Sequence, residues 1–283
     1  MPAGGATRGP FVEIDWVREH AADPRIRIVD ARSRPHGAPD LAAPSGAEQY
    51  RAGHVPGAIH LDYSKELADA ATPYATRVAP AESFARTLGD RGIGDDHTIV
   101  AYDDGDVPYA ARFVWMCRYF GHDDVAVMAG GFRAWRAAGL PVTTEVPSFA
   151  PATFTPRERP QLRASREEVL AATNGSGVQL LETQRDKTYA MRDRDIAGAR
   201  RLSANQLLDD DNGGRIAPKA TLDTLVAELG LDRGKRTIVT CGSGVSASGS
   251  YLALLEAGFT DVAVYDGSWL EWSHDGLPTI PKR

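Results

Sequence analysis

One cysteine in the sequence stands where it could act as a nucleophile. Cys241 follows the short apolar run Thr237–Thr240, and Gly242 and Gly244 come within the next three residues, ahead of a helical stretch that starts at Ser246. We expect Cys241 to lie at the carboxyl end of a buried strand, with the glycine-rich loop curled so that successive backbone N–H groups point at the sulfur. The following helix would direct the positive end of its dipole to the same place.

This setting favours the thiolate, which is the form of cysteine that attacks an electrophile and carries a covalent intermediate. A cysteine at a helix N-terminus commonly has a lowered pKa, because the partial positive charge stabilises the anion. We therefore predict that Cys241 presents an ionised sulfur to solvent, cradled by main-chain amides. The alternative is a buried structural cysteine beside a tight turn.

The elements that must position this loop occur twice in the chain. The segment Asp124–Trp135 matches Asp261–Trp272 at an offset of 137 residues (261 minus 124), and each copy is followed by a Gly-Leu-Pro triplet. Upstream, Thr98–Val100 matches Thr237–Val239 at an offset of 139 (237 minus 98). A period of this length indicates a duplicated domain, because solenoid repeats are much shorter.

Each copy alternates short apolar runs with helical stretches, which favours a parallel sheet with helices on both faces and hence an α/β fold of two small domains. The predicted strands are Ile26–Val29, Thr98–Tyr102 and Val125–Met128 in the first copy and Thr237–Thr240 and Val262–Tyr265 in the second, with helices over Tyr109–Phe120 and Ser246–Glu256. We predict a disordered lead over 1–10, a first domain over 11–145, a proline-rich linker over 146–162 and a second domain over 163–283.

Composition and charge limit the class of protein. The 283 residues suit two domains, and the net charge of -6 argues against a nucleic-acid partner, since proteins that bind polyanions concentrate Lys and Arg. No apolar run approaches the roughly 20 residues of a membrane helix. Cys117 and Cys241 cannot form a disulfide scaffold or a CxxC metal site, so we expect a reducing, cytoplasmic location, and Cys117, in an apolar stretch, reads as a core residue.

Three motifs carry a resemblance to a known family. The loop Cys241-Gly-Ser-Gly-Val-Ser-Ala247 and the run Tyr265-Asp-Gly-Ser-Trp-Leu-Glu-Trp272 resemble the C-terminal half of tandem rhodanese-type sulfurtransferases, in particular the 3-mercaptopyruvate sulfurtransferase branch. In the first copy, Ala52–Ile59 resembles the Gly-His-Ile-Pro-Gly-Ala turn of the rhodanese-like domain. The resemblance implies two tandem rhodanese-like domains, of which the first is catalytically silent, with Asp103 or Asp104 where the second has its cysteine.

The resemblance also implies a two-step sulfur transfer without a metal or organic cofactor. Cys241 would attack the outer sulfur of a small donor, hold it as a persulfide, and pass it to a thiol, a thioredoxin-like partner or cyanide. Ser243 would assist proton transfer as a second catalytic residue, unless it is a turn serine that bonds the backbone. The loop residues that would bind substrate are Gly242, Gly244, Val245 and Ser246. Trp269 either packs in the core or walls the pocket.

Loop charge favours one donor over another. Thiosulfate-using relatives carry Arg or Lys in this loop, whereas residues 242–246 are uncharged, which favours 3-mercaptopyruvate. In that branch two arginines bind the donor carboxylate, but the matching positions here are Gln184 and Thr188. We expect Arg185, helped by Arg192 or Arg194, to replace them. The alternative is that these arginines are solvated surface charges.

Two alternative functions belong to other classes of protein. The auxiliary His that follows a Pro-Tyr pair in the family is missing, since Pro73-Tyr74 is followed by Ala75-Thr76-Arg77. The chain could then be a non-catalytic sulfur-binding or regulatory module. A cysteine phosphatase would need Arg six residues after the cysteine, where this chain has Ala247. His54 is expected to orient the backbone of its turn, and Asp209–Asp211 to form an exposed acidic turn.

Overall fold

The computed structural model describes residues 9–34, 43–74, 76–105, 108–209 and 215–282. These residues form two compact units: one comprises 9–67 and 79–158, and the other comprises 68–78, 159–209 and 215–282. Most of the expected disordered lead, and Asp210 and Asp211 of the expected acidic turn, lie outside the described residues. The predicted limits of the linker and of the two domains stay predictions. Segment Ala68–Val78 belongs to the second unit.

The first unit is a five-stranded parallel sheet in the order β1-β5-β4-β2-β3. Its elements are β1 Phe11–Val12, α1 Ile14–His20, β2 Ile26–Asp30, α2 Gly46–Ala52, β3 Ala58–His60, α3 Ala81–Asp90, β4 Thr98–Tyr102, α4 Pro108–Tyr119, β5 Val125–Met128 and α5 Gly131–Ala137. All of β2 and β5, and all of β4 beyond its first residue, is buried, as expected for parallel strands covered on both faces.

The second unit repeats this arrangement with the strand order β6-β13-β12-β7-β9, again all parallel. Its elements are a 3-10 turn at Pro160–Leu162, β6 Arg163–Ala164, α6 Arg166–Thr173, β7 Gln179–Glu182, α7 Asp186–Tyr189, β8 Arg194–Ile196, β9 Arg200–Arg201, α8 Ala204–Leu207, β10 Leu208–Asp209, β11 Arg215–Ile216, α9 Lys219–Glu228, β12 Thr237–Thr240, α10 Val245–Glu256, β13 Val262–Tyr265, α11 Ser268–His274 and β14 Thr279–Pro281. Two antiparallel ribbons, β10-β11 and β8-β14, accompany the sheet.

The predicted fold class is confirmed, and the predicted strands of both copies form the middle of the two sheets. The central strand β12 lies between β13 and β7, so its carboxyl end is flanked by the ends of both neighbours. Ligand sites of parallel α/β sheets form at this edge, where strands give way to helices. In the first unit Val17 of α1 and Phe132 and Trp135 of α5 share one core cluster with the strands.

A buried ion pair closes the carboxyl edge of the first sheet. Asp30, at the end of β2, is fully buried, and the Arg32 guanidinium donates to both of its carboxylate oxygens at 2.5–3.0 Å. The Tyr102 hydroxyl, from the end of β4, donates to the same carboxylate at 2.8 Å. The Arg32 guanidinium also lies 4.1 Å from the centre of the Phe132 ring. This pair therefore joins β2, β4 and α5 at a single point.

Removing the acid should destabilise the first unit strongly. Asp30→Ala leaves the Arg32 charge buried without its partner, and the expected loss in the free energy of unfolding is about 3–5 kcal/mol. Asp15→Ala is the matched control, because it removes a carboxylate that pairs with Arg18 at 3.0 Å but is 70% exposed; its expected effect is below about 1 kcal/mol. Denaturant titration of both variants measures the difference, and equal losses would contradict the assignment.

Candidate active site

Cys241 directly follows β12, at the carboxyl edge of the second sheet. Thr240, the last residue of that strand, pairs with Glu182 at the end of β7. The chain then turns through residues 242–244, and α10 begins at Val245. Gly244 precedes the helix with a φ of 78°, in the left-handed region that favours glycine, so the turn has a local reason in the sequence. The loop therefore delivers the helix N-terminus to the residue that ends the strand.

Three backbone N–H groups converge on the sulfur. The amides of Ala247, Ser243 and Gly244 act on Cys241 as hydrogen-bond donors and favour its charged form. Burial acts in the opposite direction and is larger, since the residue is only 1% exposed, and Glu182 adds a smaller effect of the same sign. The pKa of Cys241 is therefore raised above the ordinary value for a thiol.

The sequence prediction for this sulfur was thus half wrong. The amide cradle is present, but the sulfur is buried rather than exposed to solvent, and its pKa is raised rather than lowered. The physical reason is desolvation, which disfavours the charged form and here exceeds the effect of the amides. A sequence pattern shows which amides can converge, but it does not show how deeply the neighbouring elements bury the side chain.

The first unit contains the same cradle with a different occupant. The Phe132 N–H donates to the Asp103 carbonyl at 2.7 Å, and the corresponding Trp269 N–H donates to the Cys241 carbonyl at 3.0 Å. Asp103, rather than Asp104, is therefore the counterpart of Cys241. Its carboxylate accepts hydrogen bonds from the N–H groups of Gly105, Tyr109 and Ala110 at 2.9–3.2 Å. This loop geometry thus holds an anion in the copy that lacks the cysteine.

The first turn of α11 holds the loop from the other side. The Trp269 N–H bonds to the Cys241 carbonyl, and the Leu270 N–H donates to the Gly242 carbonyl at 2.9 Å. These N–H groups have no partner inside their own helix, so the loop satisfies them. Trp269 packs against the core cluster of the second unit. Its expected role as a pocket wall stays a prediction.

Ser268, which precedes Trp269, also contacts Cys241. The Ser268 hydroxyl accepts a hydrogen bond from the Cys241 N–H at 3.1 Å, and its oxygen lies 4.0 Å from the sulfur. Sequence reasoning missed this residue. The signal that could have found it is the Ser of the Tyr265–Trp272 run, which stands where the first copy has Gly131.

The remaining loop residues lie as follows. Ser243 is partly buried, and its carbonyl accepts a hydrogen bond from the Thr76 hydroxyl at 2.8 Å. Val245 is 7% exposed, and the Ser246 carbonyl accepts from the Ser250 hydroxyl at 3.4 Å. Thr76 is one of the residues that follow Pro73-Tyr74, where the resemblance leads one to expect His, and it is 1% exposed. A neutral hydroxyl from this segment therefore contacts the cysteine loop.

The segment Ala68–Val78 is anchored to the second unit by further contacts. The Arg77 guanidinium pairs with Glu271 at 2.7 Å, and the Val78 N–H donates to the Asp266 carboxylate at 3.0 Å. The Tyr74 hydroxyl donates to Asp275 at 2.6 Å. Since Thr76 lies among these anchors, the segment holds its hydroxyl against the Ser243 carbonyl.

The arginines that were expected to bind a donor carboxylate have different surroundings. Arg185 is partly buried and immediately precedes α7. Arg192 is paired with Glu182 at 2.5 Å and with Asp195, and its side chain is only 7% exposed. Arg194 donates to Thr279 across the β8-β14 ribbon. Two carboxylates thus pair with Arg192, which makes Arg192 a poor candidate for binding the carboxylate of a donor.

Arg192 instead occupies the structural place that Arg32 has in the first unit. Both guanidinium groups pair with the acid that ends the corresponding strand, Asp30 or Glu182. Both also lie over the corresponding aromatic ring, at 4.1 Å from Phe132 and 4.7 Å from Trp269. Sequence reasoning missed this pair because Gln184 stands where the arginine is expected and Arg192 comes ten residues after the acid (192 minus 182).

Other possible sites in the described residues are less suited to this chemistry. No group of three or more His, Cys, Asp or Glu side chains among them could hold a metal ion. Within the same residues, no helix is both long and apolar enough to cross a membrane. A cavity of about 400 Å³ lies in the second unit, lined by Arg77, Arg163, Ala164, Ser165, Arg166, Glu167 and Glu271. None of residues 241–246 lines this cavity.

The two cysteines should differ in their response to pH. Burial raises the pKa of both thiols, but only the pKa of Cys241 is also lowered by three amides. Alkylation of Cys241 by iodoacetamide should therefore accelerate as pH rises above the ordinary thiol range, whereas Cys117 should react only when the protein unfolds. Mass mapping of the labelled peptide between pH 6 and about 10 checks this. A Cys241 rate that is independent of pH would contradict it.

The raised thiol pKa values also make the free energy of unfolding depend on pH. A group that holds its proton more tightly in the folded state stabilises fully below the unfolded pKa, and this contribution is lost as pH rises through the folded pKa. Both cysteines therefore destabilise the folded chain at alkaline pH, where the unfolded thiols ionise first.

The similarity to known proteins agrees with the geometry. The family model for the rhodanese-like domain matches residues 13–138 and 165–275. The chain is 30% identical to the 3-mercaptopyruvate sulfurtransferase of Escherichia coli strain K12 over 96% of this chain and 98% of that protein. It is 33% identical to the thiosulfate sulfurtransferase of Bos taurus over 95% and 93% of the two chains.

A solved structure gives the same result. SseA from Escherichia coli, described as a 3-mercaptopyruvate sulfotransferase with the rhodanese fold, matches with a TM-score of 0.84 at 30% identity, covering 93% of this chain and 99% of SseA. The sequence resemblance and the predicted tandem rhodanese-like architecture are thereby confirmed. The chain belongs to the family of proteins built from rhodanese-like domains, and it is a sulfurtransferase.

Proposed function

We propose that the protein moves a sulfane sulfur from a small donor, with 3-mercaptopyruvate preferred over thiosulfate, through a persulfide on Cys241 to a thiol or cyanide acceptor. One observation carries this assignment: the amide cradle that holds the Asp103 carboxylate in the first unit holds a sulfur in the second. A cradle that stabilises a carboxylate also suits a thiolate or a persulfide anion.

The first half-reaction can be written with its atoms in balance. The Cys241 thiolate attacks the sulfur of 3-mercaptopyruvate, an S–S bond forms, and the C–S bond of the donor breaks. The bonding electrons leave as the enolate of pyruvate, which takes up at carbon the proton that Cys241 lost. The S–H proton of the donor stays on the outer sulfur, so Cys241 ends as a hydropersulfide, whose ionised form the loop N–H groups stabilise.

The chain's own residues have distinct parts in this step. The N–H groups of Ala247, Ser243 and Gly244 stabilise the charge on sulfur, and the Ser243 hydroxyl, at the rim of the loop, would relay the proton. Gly242, Gly244, Val245 and Ser246 are the loop residues that would meet the donor. In the second half-reaction an acceptor thiolate attacks the outer sulfur and releases the Cys241 thiolate.

Charge near the loop supports the preference for mercaptopyruvate. Residues 242–246 carry no cation that could pair with the second negative charge of thiosulfate, whereas a singly charged keto acid needs fewer cations. Both cysteines are free thiols in the structure. This agrees with a reducing, cytoplasmic location and with an acceptor such as thioredoxin or a low-molecular-weight thiol.

Removing the nucleophile should abolish sulfur loading. After exposure to 3-mercaptopyruvate and removal of excess donor, the wild-type chain should gain the mass of one sulfur atom on the peptide that contains Cys241. Cys241→Ser should gain none, and Cys117→Ser should load like wild type because Cys117 is fully buried in α4. Intact-mass and peptide-mass spectrometry measure this. Loading that persists in Cys241→Ser would sink the assignment.

Removing the arginine that binds the donor should weaken donor binding without slowing the chemical step. Arg185→Ala should raise the KM for 3-mercaptopyruvate about tenfold with little change in kcat, because the guanidinium would bind the carboxylate equally in the ground and transition states. Lys187→Ala is the matched control, since Lys187 is an exposed cation two residues away in α7. Steady-state kinetics of both variants decide, and an unchanged KM in Arg185→Ala would remove this residue from the site.

A further inference from the structure

Ser268 holds an unfavourable backbone conformation at the nucleophile. Its φ is 49°, and among the described residues it is the only non-glycine with a positive φ. Such strain in a residue other than glycine persists only where the surrounding structure fixes it, and it concentrates at functional sites. The side chain is fully buried, and its hydroxyl donates to the Tyr265 carbonyl at 2.7 Å while it accepts from the Cys241 N–H at 3.1 Å.

The first unit shows what this position looks like without the serine. Its counterpart is Gly131, with a φ of 57°, so the left-handed backbone is common to both copies. A Cβ on Gly131 would approach the Asp103 carbonyl oxygen and the Gly105 nitrogen to 2.4 Å, closer than any real contact. Glycine is therefore the low-energy choice for this turn. The second unit accepts a side chain there, and the side chain brings a hydroxyl to the nucleophile.

The two occupants of the cradle explain why a hydroxyl is needed in only one copy. The Asp103 carboxylate accepts three backbone N–H bonds and thereby fixes its own loop. A neutral thiol is a weak hydrogen-bond acceptor, so it holds the corresponding amides less strongly than a carboxylate does. The second loop therefore gains more from an additional bond, and the Ser268 hydroxyl supplies one to the main chain of Cys241 itself.

We propose that Ser268 is a positioning residue for the sulfur chemistry of Cys241. Its hydroxyl fixes the Cys241 N–H in the resting state and, with its oxygen 4.0 Å from Sγ, can turn its proton from the Tyr265 carbonyl to the sulfur when the sulfur becomes charged. The part that concerns transfer depends on the proposed function, whereas the part that concerns thiol reactivity does not.

The groups that act on this sulfur come from several elements. The ionisable side chain is Glu182 of β7, which is buried and paired with Arg192, and the other contributors are N–H groups of the loop and of α10. Ser268 adds a neutral donor from α11. Since it carries no charge, its removal leaves the electrostatic setting of Glu182 and Arg192 intact, and a change in thiol reactivity can be assigned to the hydroxyl.

Two substitutions separate the hydroxyl from the backbone strain. Ser268→Ala removes the hydroxyl and keeps a Cβ at positive φ, whereas Ser268→Gly removes the hydroxyl and relieves the strain. Ser250→Ala is the matched control, because Ser250 is a buried serine of α10 whose hydroxyl bonds only weakly to its own helix. For each variant the melting temperature, the alkylation rate of Cys241 against pH, and the rate of sulfur loading from 3-mercaptopyruvate would be measured.

The expected result is that both variants are alkylated and loaded with sulfur about tenfold more slowly at neutral pH, which is the effect of one hydrogen bond. The pH at which the alkylation rate rises should be higher in both variants than in wild type. The glycine variant should nevertheless melt above the alanine variant. The inference is overturned if the glycine variant reacts like wild type, or if reactivity simply follows melting temperature. Where the alanine variant fails to fold, the glycine variant, whose backbone matches Gly131, decides alone.

The same experiment distinguishes a failure of the proposed function from a failure of the role proposed for Ser268. If wild-type protein alkylates at Cys241 but takes up no sulfur from the donor, the proposed function fails while the role of Ser268 in thiol reactivity can still be read. If wild-type protein loads sulfur and Ser268→Gly loads and alkylates at the same rate, only the inference about Ser268 fails.

Discussion

The convergence of backbone N–H groups at the carboxyl edge of a parallel sheet is the constraint on which the rest of this structure depends. A strand must end, a loop must turn through a left-handed glycine, and a helix must begin within a few residues for these groups to meet at one point. The neighbouring helix α11 then uses its own free N–H groups to hold the loop carbonyls. Sheet order, strand length and helix starts all serve this geometry.

Because the domain is duplicated, its two copies can be compared directly. Both copies have the same strand order and the same loop-to-helix bond, from Phe132 or Trp269 to the residue in the cradle. What differs is the occupant, which is a carboxylate in one copy and a thiol in the other. A charged carboxylate accepts strong hydrogen bonds from the amides of the cradle and stays bound to them. A buried thiol keeps its proton until a partner removes it.

Much of this arrangement can be predicted from sequence, and the limits have identifiable causes. The strands, the duplication and the cysteine loop are local patterns, so periodicity and glycine placement reveal them. Burial of Cys241 and the pairing of Arg192 with Glu182 depend on packing between elements distant in sequence, which no local pattern contains. The repeat left Asp103 and Asp104 open as the counterpart of Cys241, and the matching bonds from the Phe132 and Trp269 N–H groups identify it as Asp103.

The placement of Ala68–Val78 limits how the chain can be cut into separate halves. This stretch lies between β3 and α3 of the first unit in sequence, yet it supplies Arg77 to the nearly buried Glu271 and a main-chain donor to Asp266 of the second. A fragment cut at the proline-rich stretch would strip both carboxylates of these partners. The second half of the chain therefore does not contain all the partners of its own buried carboxylates, and recombination that exchanges halves between homologues would have to carry this insert along.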